Sequence, residues 1–461
     1  MEFSKYEERL EQFYQDKTIK YYFKHLKKMI SMPSIFAQQR GLKEMAHYLV
    51  NLFEEAGAEV LLDESYTAPL VIARFISPNP EAKTIIFYNH YDTVPADSDQ
   101  PWTDDPFELS IRGDYIYGRG VDDDKGHITA RLTAIKRYQE KYGELPVNVV
   151  FLMEGAEESA STDLDKYLKK HASSLRGADL LVWEQEIRDE QGRLQISGGN
   201  KGIVTFDVSV TSADVDIHSK YGALVESAAW YLVQALATLR DQNGRILVEG
   251  IYNQVKEPNE RELSLVERFV TRNSDELVDL YGLKLPVLES ERRAFLKTYF
   301  FEPAISIEGL SSGYLGQGVK TIIPAQAQAK MEVRLVPGLT PRGVLDSIKQ
   351  HFKAKGFEHI EVTYTLGEAS YRSDMSAPAI LNVIEVAKRI YPDGVSVLPT
   401  SAGTGPMWTV YDALEVPQAA FGLGNLNSRD HGGDENITIE DYVSHIDMVE
   451  ELIRTYDKNN D

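Results

Sequence analysis

The chain contains no cysteine. Disulfides, thiolate nucleophiles and cysteine-held zinc or iron–sulfur centres are therefore excluded together. Long apolar runs are missing too: none approaches the ~20 residues of a membrane-spanning helix. The opening stretch, MEFSKYEERLEQFYQD, is acidic and helix-like and lacks the basic-then-apolar order of a secretory signal. With the absence of cysteine, this leads us to expect a cytoplasmic protein. Positive charge is scarce: 49 Lys and Arg stand against 71 Asp and Glu, a formal net charge of −22. Such a surface argues against nucleic acid or an anionic membrane as partner. Internal repeats and low-complexity segments are absent as well.

What remains is a chain of 461 residues, 43% hydrophobic and 26% charged, which places it among globular proteins of two or three domains. Residues 18–30 and 41–56 carry helical apolar spacing. VIARFIS and TIIFYNH read as strands, HITARLTAIKRYQEKYG as a helix, and PVNVVFLMEGAEES and ADLLVWEQE as buried strands running into acids. Short apolar strands alternating with helices predict an α/β fold with a mostly parallel, doubly covered sheet. The texture changes at SGGNKG. IVTFDVSV and AQAKMEVRLVP alternate with period two, 223–241 reads as a helix, TPRGVLDSIKQHFKAKG as a Thr-capped helix with Pro in its first turn, and HIEVTYTL as a strand. This β-α-β-β-α-β order predicts a ferredoxin-like α+β domain, interrupted by a charged, mostly helical stretch at 245–300. The α/β texture returns after about residue 370. The expected organisation is a first domain formed by 1–201 and 371–461, with 202–370 inserted in it.

The acids and histidines follow a rule. His90 closes the strand TIIFYNH, with Asp92 two residues on. Glu157 and Glu158 follow VVFLM, Glu184 follows LLVW, and Asp123 sits in a Gly-flanked loop before a helix. His431 follows the buried run VPQAAFGLG. In open parallel sheets, ligands bind beyond the carboxyl ends of the strands. Carboxylates gathered at one edge would raise one another's pKa; a divalent metal removes that conflict. His25, His47, His171, His351, His359 and His445 read as surface or packing residues. His127 opens a helix and reads as a cap. His218, in ADVDIHSKYG, lies in the inserted domain.

YNHYDTVPAD…W…DPF, IYGRGVDDDKG, FLMEGAEES and RDHGGDE together resemble the co-catalytic zinc peptidase family, which includes aminoacylase, acetylornithine deacetylase, succinyl-diaminopimelate desuccinylase, glutamate carboxypeptidase and carnosine-type dipeptidases. The likeness spans residues from about 20 to 450. It implies a catalytic α/β domain with an inserted lid that dimerises, and two divalent ions, zinc with manganese or cobalt as alternatives. It implies His90 as a ligand of one metal, Asp123 as the bridge, Glu158 and His431 on the second metal, and Glu184 as the remaining ligand, with Glu186 as its rival. Asp92 would orient the His90 ring, and the Asp123–Asp124 peptide would be cis. Glu157 would act as general base toward a hydroxide bridging the metals. His218 would stabilise the transition state from across the dimer. Arg334, with Gly403 and Thr404 in TSAGTGPMW, would receive a substrate carboxylate. EGAEESAS and the 245–300 insertion look more like the dipeptidase and carboxypeptidase branch, so the expected reaction is hydrolysis of dipeptides or short peptides with a free C-terminal carboxylate. Deacylation of N-acyl amino acids is the alternative. A non-catalytic metal-binding relative is the alternative from another class.

Overall fold

The computed structural model describes residues 5–96, 100–268 and 274–456. Residues 269–273 of the expected helical stretch, and Asp97 at the end of YNHYDTVPAD, lie outside them. The chain divides into two compact units: residues 1–199, 373–399 and 409–461 form the first, and 200–372 with 400–408 the second. The sequence reading left 400–408 with the returning first domain. The segment goes instead with the second unit, where Asn200 donates its side-chain amide to Gly405 O and the Lys201 N–H donates to Ser401 O.

The first unit is built on a ten-stranded sheet. Its middle is parallel: Asn148–Glu154, Thr84–His90, Leu180–Trp183 and Gln418–Ala420 lie side by side in that order. Leu70–Phe75 pairs antiparallel on the outside of Asn148–Glu154, and Glu59–Asp63 pairs antiparallel beyond it. The middle strands are unbroken apolar runs because both of their faces are covered. Ile85, Phe87, Val149, Phe151, Leu180 and Val182 are fully buried. Helix Lys125–Tyr142 is buried nearly all round, packed against helices Lys17–Ile30 and Ile439–Thr455. That explains its weak amphipathic pattern. Asp16 caps Lys17–Ile30 by accepting the N–H groups of Thr18 and Ile19.

The second unit has a four-stranded antiparallel sheet in the order Ala304–Ser312, Gln326–Leu335, Gly202–Thr211, Glu361–Glu368. Gly202–Thr211 buries alternate residues, Val204, Phe206, Val208 and Val210. These meet Leu232 of helix Ala228–Ala237 and Val344, Leu345 and Ile348 of helix Pro341–Ala354 in one core. The chain order is the expected β-α-β-β-α-β; its second strand, Ala304–Ser312, does not alternate in burial and is not among the strands named from the sequence. The first helix is shorter than its pattern, because a 3-10 turn at Ser219–Tyr221 and a turn up to Ser227 precede it. Thr340 accepts the N–H of Gly343, as a cap should. The 245–300 stretch contributes short helices, including Glu260–Glu267 and Arg292–Phe301. Arg372 ties the first of these down through a buried ion pair with Glu262 at 2.9 Å. Among the described residues no helix is long and apolar enough to cross a membrane.

Candidate metal centre

Parallel register sets the site. Thr84–His90 and Asn148–Glu154 run together and end level, with His90 opposite Glu154. The next strand stops at Trp183, one residue before Glu184. Arg131, buried in helix Lys125–Tyr142, holds these ends in place. It donates to Tyr88 O at 2.7 Å and to Trp183 O at 2.8 Å. Tyr88 and Trp183 stack at 3.9 Å, with 5° between their rings. The strand that leads to His90 and the strand that leads to Glu184 are thereby locked side by side.

Asp123 lies at the centre of the arrangement. Its Oδ1 is 2.9 Å from His90 Nε2 and its Oδ2 is 3.1 Å from His431 Nε2. Glu158 Oε2 is 3.0 Å from the same His431 nitrogen. Asp123, Glu158 and His431 each offer a ligand atom within 4.8 Å of the others. The peptide between Asp123 and Asp124 is cis. His431 has φ of 60°, a left-handed conformation that is uncommon outside glycine.

Glu184 is 1% exposed, and neither of its carboxylate oxygens has a hydrogen-bond partner in another described residue. Glu186 differs: its side chain bonds to Ser197. A buried carboxylate without donors is costly unless a cation serves it. Burial pushes the Glu184 carboxyl well above its ordinary value, with Asp124 adding to the shift, and burial also raises Glu158. Burial pushes Glu157 up to about 8. Hydrogen bonds from His431 and His90 overcome the burial of Asp123 and hold its carboxyl below the usual carboxylate range. Asp123 first, then Glu158, pushes the His431 ring up to about 11. A field that so favours imidazolium also favours a divalent cation. The donor set of imidazole nitrogens and carboxylate oxygens suits zinc, manganese or cobalt. Asp123, Glu158 and His431 fit one such ion, and His90 stands on the other oxygen of Asp123.

Neighbouring groups aim these side chains. His90 Nδ1 is 3.1 Å from the main-chain oxygen of Asp92 and 3.4 Å from its carboxylate. The Asp92 carboxylate also accepts the N–H groups of Glu157 and Glu158, both at 3.2 Å, and so holds the 3-10 turn that presents them. Asp124 accepts the His90 N–H at 2.9 Å and the Asn89 side-chain amide at 2.8 Å. His127 accepts the Leu423 N–H on Nε2. Its Nδ1 therefore carries the ring proton, with Asp124 Oδ1 2.7 Å away but outside hydrogen-bond geometry. Arg131 and Asp124 have no role in the sequence motifs; each works on backbone groups brought together only by the fold.

The other expected residues lie in the second unit. His218 is exposed in the short strand Ile217–His218, paired with Ile322–Ile323, and its Nδ1 accepts the Lys220 N–H. Arg334 donates to Thr404 Oγ1 at 2.9 Å and to Glu332 Oε1 at 2.9 Å. Gly403 is exposed beside Thr404.

The sequence pattern of peptidase family M20/M25/M40 matches residues 86–455. The Beta-Ala-His dipeptidase of Rattus norvegicus is 28% identical over 404 residues, covering 84% of this chain and 80% of that protein. The Cys-Gly metallodipeptidase DUG1 of Saccharomyces cerevisiae is 27% identical over 406 residues, covering 85% and 82%. The crystal structure of an M20 family metallo-carboxypeptidase from Sulfolobus solfataricus superposes with a TM-score of 0.84 at 34% identity, covering 94% of this chain and 99% of that one. The match from residue 86 to residue 455 takes in every residue of the cluster around Asp123, and the chain belongs to peptidase family M20/M25/M40 as a metal-dependent peptidase.

Proposed function

We propose that this protein hydrolyses dipeptides with a free C-terminal carboxylate, and that His90, Asp123, Glu158, Glu184 and His431 would hold the two divalent ions the reaction needs. The observation that carries the reading is the Asp123 carboxylate, which presents one oxygen to His90 and the other to His431. The dipeptidases and the carboxypeptidase among its relatives support the substrate class over N-acyl amino acids. When bound, the ions would polarise the amide carbonyl and lower the pKa of a water they share.

The chain's own residues do the rest. Glu157 stands next to the ligand Glu158, with its N–H held by Asp92. From there its carboxylate takes a proton from the attacking water and returns it to the leaving amine nitrogen. Arg334 receives the substrate carboxylate on its guanidinium fork, in exchange for part of its contact with Glu332, and Thr404 supports the other edge of the fork. His218, whose Nδ1 is an acceptor, carries its proton on Nε2 and donates it to the developing oxyanion. A homodimer through the second unit, with His218 serving the partner copy, belongs to the same proposal.

The test is a substrate panel on metal-stripped protein reloaded with zinc, manganese or cobalt. The expected result is turnover of dipeptides, lost on stripping and restored on reloading. Turnover of N-acetyl or N-succinyl amino acids without any on dipeptides would overturn the reading. Arg334→Lys, which loses the planar fork, should raise KM about tenfold while metal content stays the same. An unchanged KM on every cleaved dipeptide would remove Arg334 from the substrate site.

A further inference from the structure

We infer that Glu435 and Arg119 form a clamp that fixes the spacing of the two loops carrying Asp123 and His431, and thereby the affinity for divalent cations. The inference rests on the metal-site reading above. Glu435 is fully buried and Arg119 is 1% exposed. Glu435 Oε2 accepts Arg119 Nη1 at 2.7 Å and the Gly120 N–H at 2.9 Å. Its Oε1 accepts the N–H groups of Asp122 at 3.0 Å and Asp123 at 3.1 Å. One carboxylate thus receives four donors from the loop that presents the bridging acid.

Arg119 closes the other side. Its Nη2 donates to Gly432 O at 2.9 Å, one residue past His431. The Gly118 N–H donates to Glu435 O at 3.1 Å, pinning the same two loops through the backbone. His431 is the most exposed ligand, its side chain 59% accessible. Thr103 and Asn436 also brace its loop, through Asp434 and Asn427 O, but among the described residues only the Glu435 carboxylate accepts the main-chain N–H of Asp123 itself. Neither clamp residue offers an atom to the ligand cluster, so both act as positioning residues.

Partners of this outer kind are worth about 10–100-fold in metal affinity. Glu435→Gln sets an amide N–H₂ against N–H donors and loses part of the four-donor grip. Arg119→Lys keeps a cation beside Glu435 but cannot span to Gly432 O. Zinc affinity of metal-stripped protein, read by chelator competition with no peptide present, is the decisive measurement. Arg188→Lys serves as control, since the acids that Arg188 pairs with, Asp393, Glu440 and Asp441, are none of the proposed ligands. Both clamp variants should bind zinc about 10–100-fold more weakly, and excess zinc should restore their turnover. The control should bind as the wild type does. Should Glu435→Gln fail to fold, Arg119→Lys gives the answer alone. Wild-type zinc affinity in a folded clamp variant, or an equal loss in the control, overturns the clamp. Wild-type protein that takes up no zinc overturns the metal reading and the clamp together. Failure of the dipeptide panel alone leaves the clamp standing.

Discussion

Glu157→Ala is expected to lower kcat by about 10²–10⁴-fold while two divalent ions per chain remain bound. The size follows from the role. A general base moves one proton in the transition state, so its loss removes that contribution and leaves metal binding intact. Position supports the separation. Glu157 and Glu158 are adjacent in one 3-10 turn, and their N–H groups are held by the same Asp92 carboxylate. Only Glu158 approaches His431. The alanine variant keeps the backbone N–H that Asp92 holds, so Glu158 stays in place. The checks are steady-state kinetics with metal analysis of the same sample. A kcat within tenfold of wild type, at full metal content, would show that another group moves the proton.

Asp123→Ala should have the larger consequence, because one carboxylate serves both sides of the site. On the proposed assignment, loss of Glu158 or Glu184 would strip one ion's share of ligands and loss of Asp123 would strip both. Metal affinity should fall by more than the ~10–100-fold typical of an outer partner, and turnover should fall with it. Added zinc should raise the melting temperature of the wild type, since a ligand that binds only the folded state stabilises it, and should leave the variant's melting temperature unmoved. The fold itself should persist. The sheet core around Phe87, Phe151 and Val182 does not involve Asp123. A variant that keeps two tightly bound ions would refute the bridging role.

Asp123, in its Gly-flanked loop, takes its bridging role from the family resemblance alone. Most of the proposed ligand set is legible because His90, Glu158 and Glu184 come at or just after an apolar run that has to be buried, where a polar residue stands out. The same holds for the ferredoxin-like order of the second unit, where alternation in IVTFDVSV and AQAKMEVRLVP reports one buried face. Glu184 and Glu186 were indistinguishable in WEQE. Their environments separate them, since no other described residue donates to the Glu184 carboxylate and Glu186 bonds to Ser197. Glu435 and Arg119 stood in the quoted motifs RDHGGDE and IYGRGVDDDKG yet carried no signal. What defines them is hydrogen-bond partners more than 300 positions away along the chain, N–H groups for Glu435 and the Gly432 carbonyl for Arg119, and no local pattern encodes that. Asp92 was assigned to His90 alone; its grip on Glu157 and Glu158 depends on where the strand Asn148–Glu154 ends. The pairing of Arg334 with Glu332 could have been read, because residues two apart on a strand share a face. The transfer of 400–408 to the second unit could not, because it rests on contacts with Asn200, Lys201 and Arg334, which lie far off along the chain.

The most direct test is anomalous diffraction at the zinc absorption edge from crystals of the zinc-loaded protein. Two peaks are predicted, one beside His90 and Glu184, the other beside Glu158 and His431, with the Asp123 carboxylate between them. A single peak, peaks elsewhere, or Asp123 turned away from both ions would contradict the account.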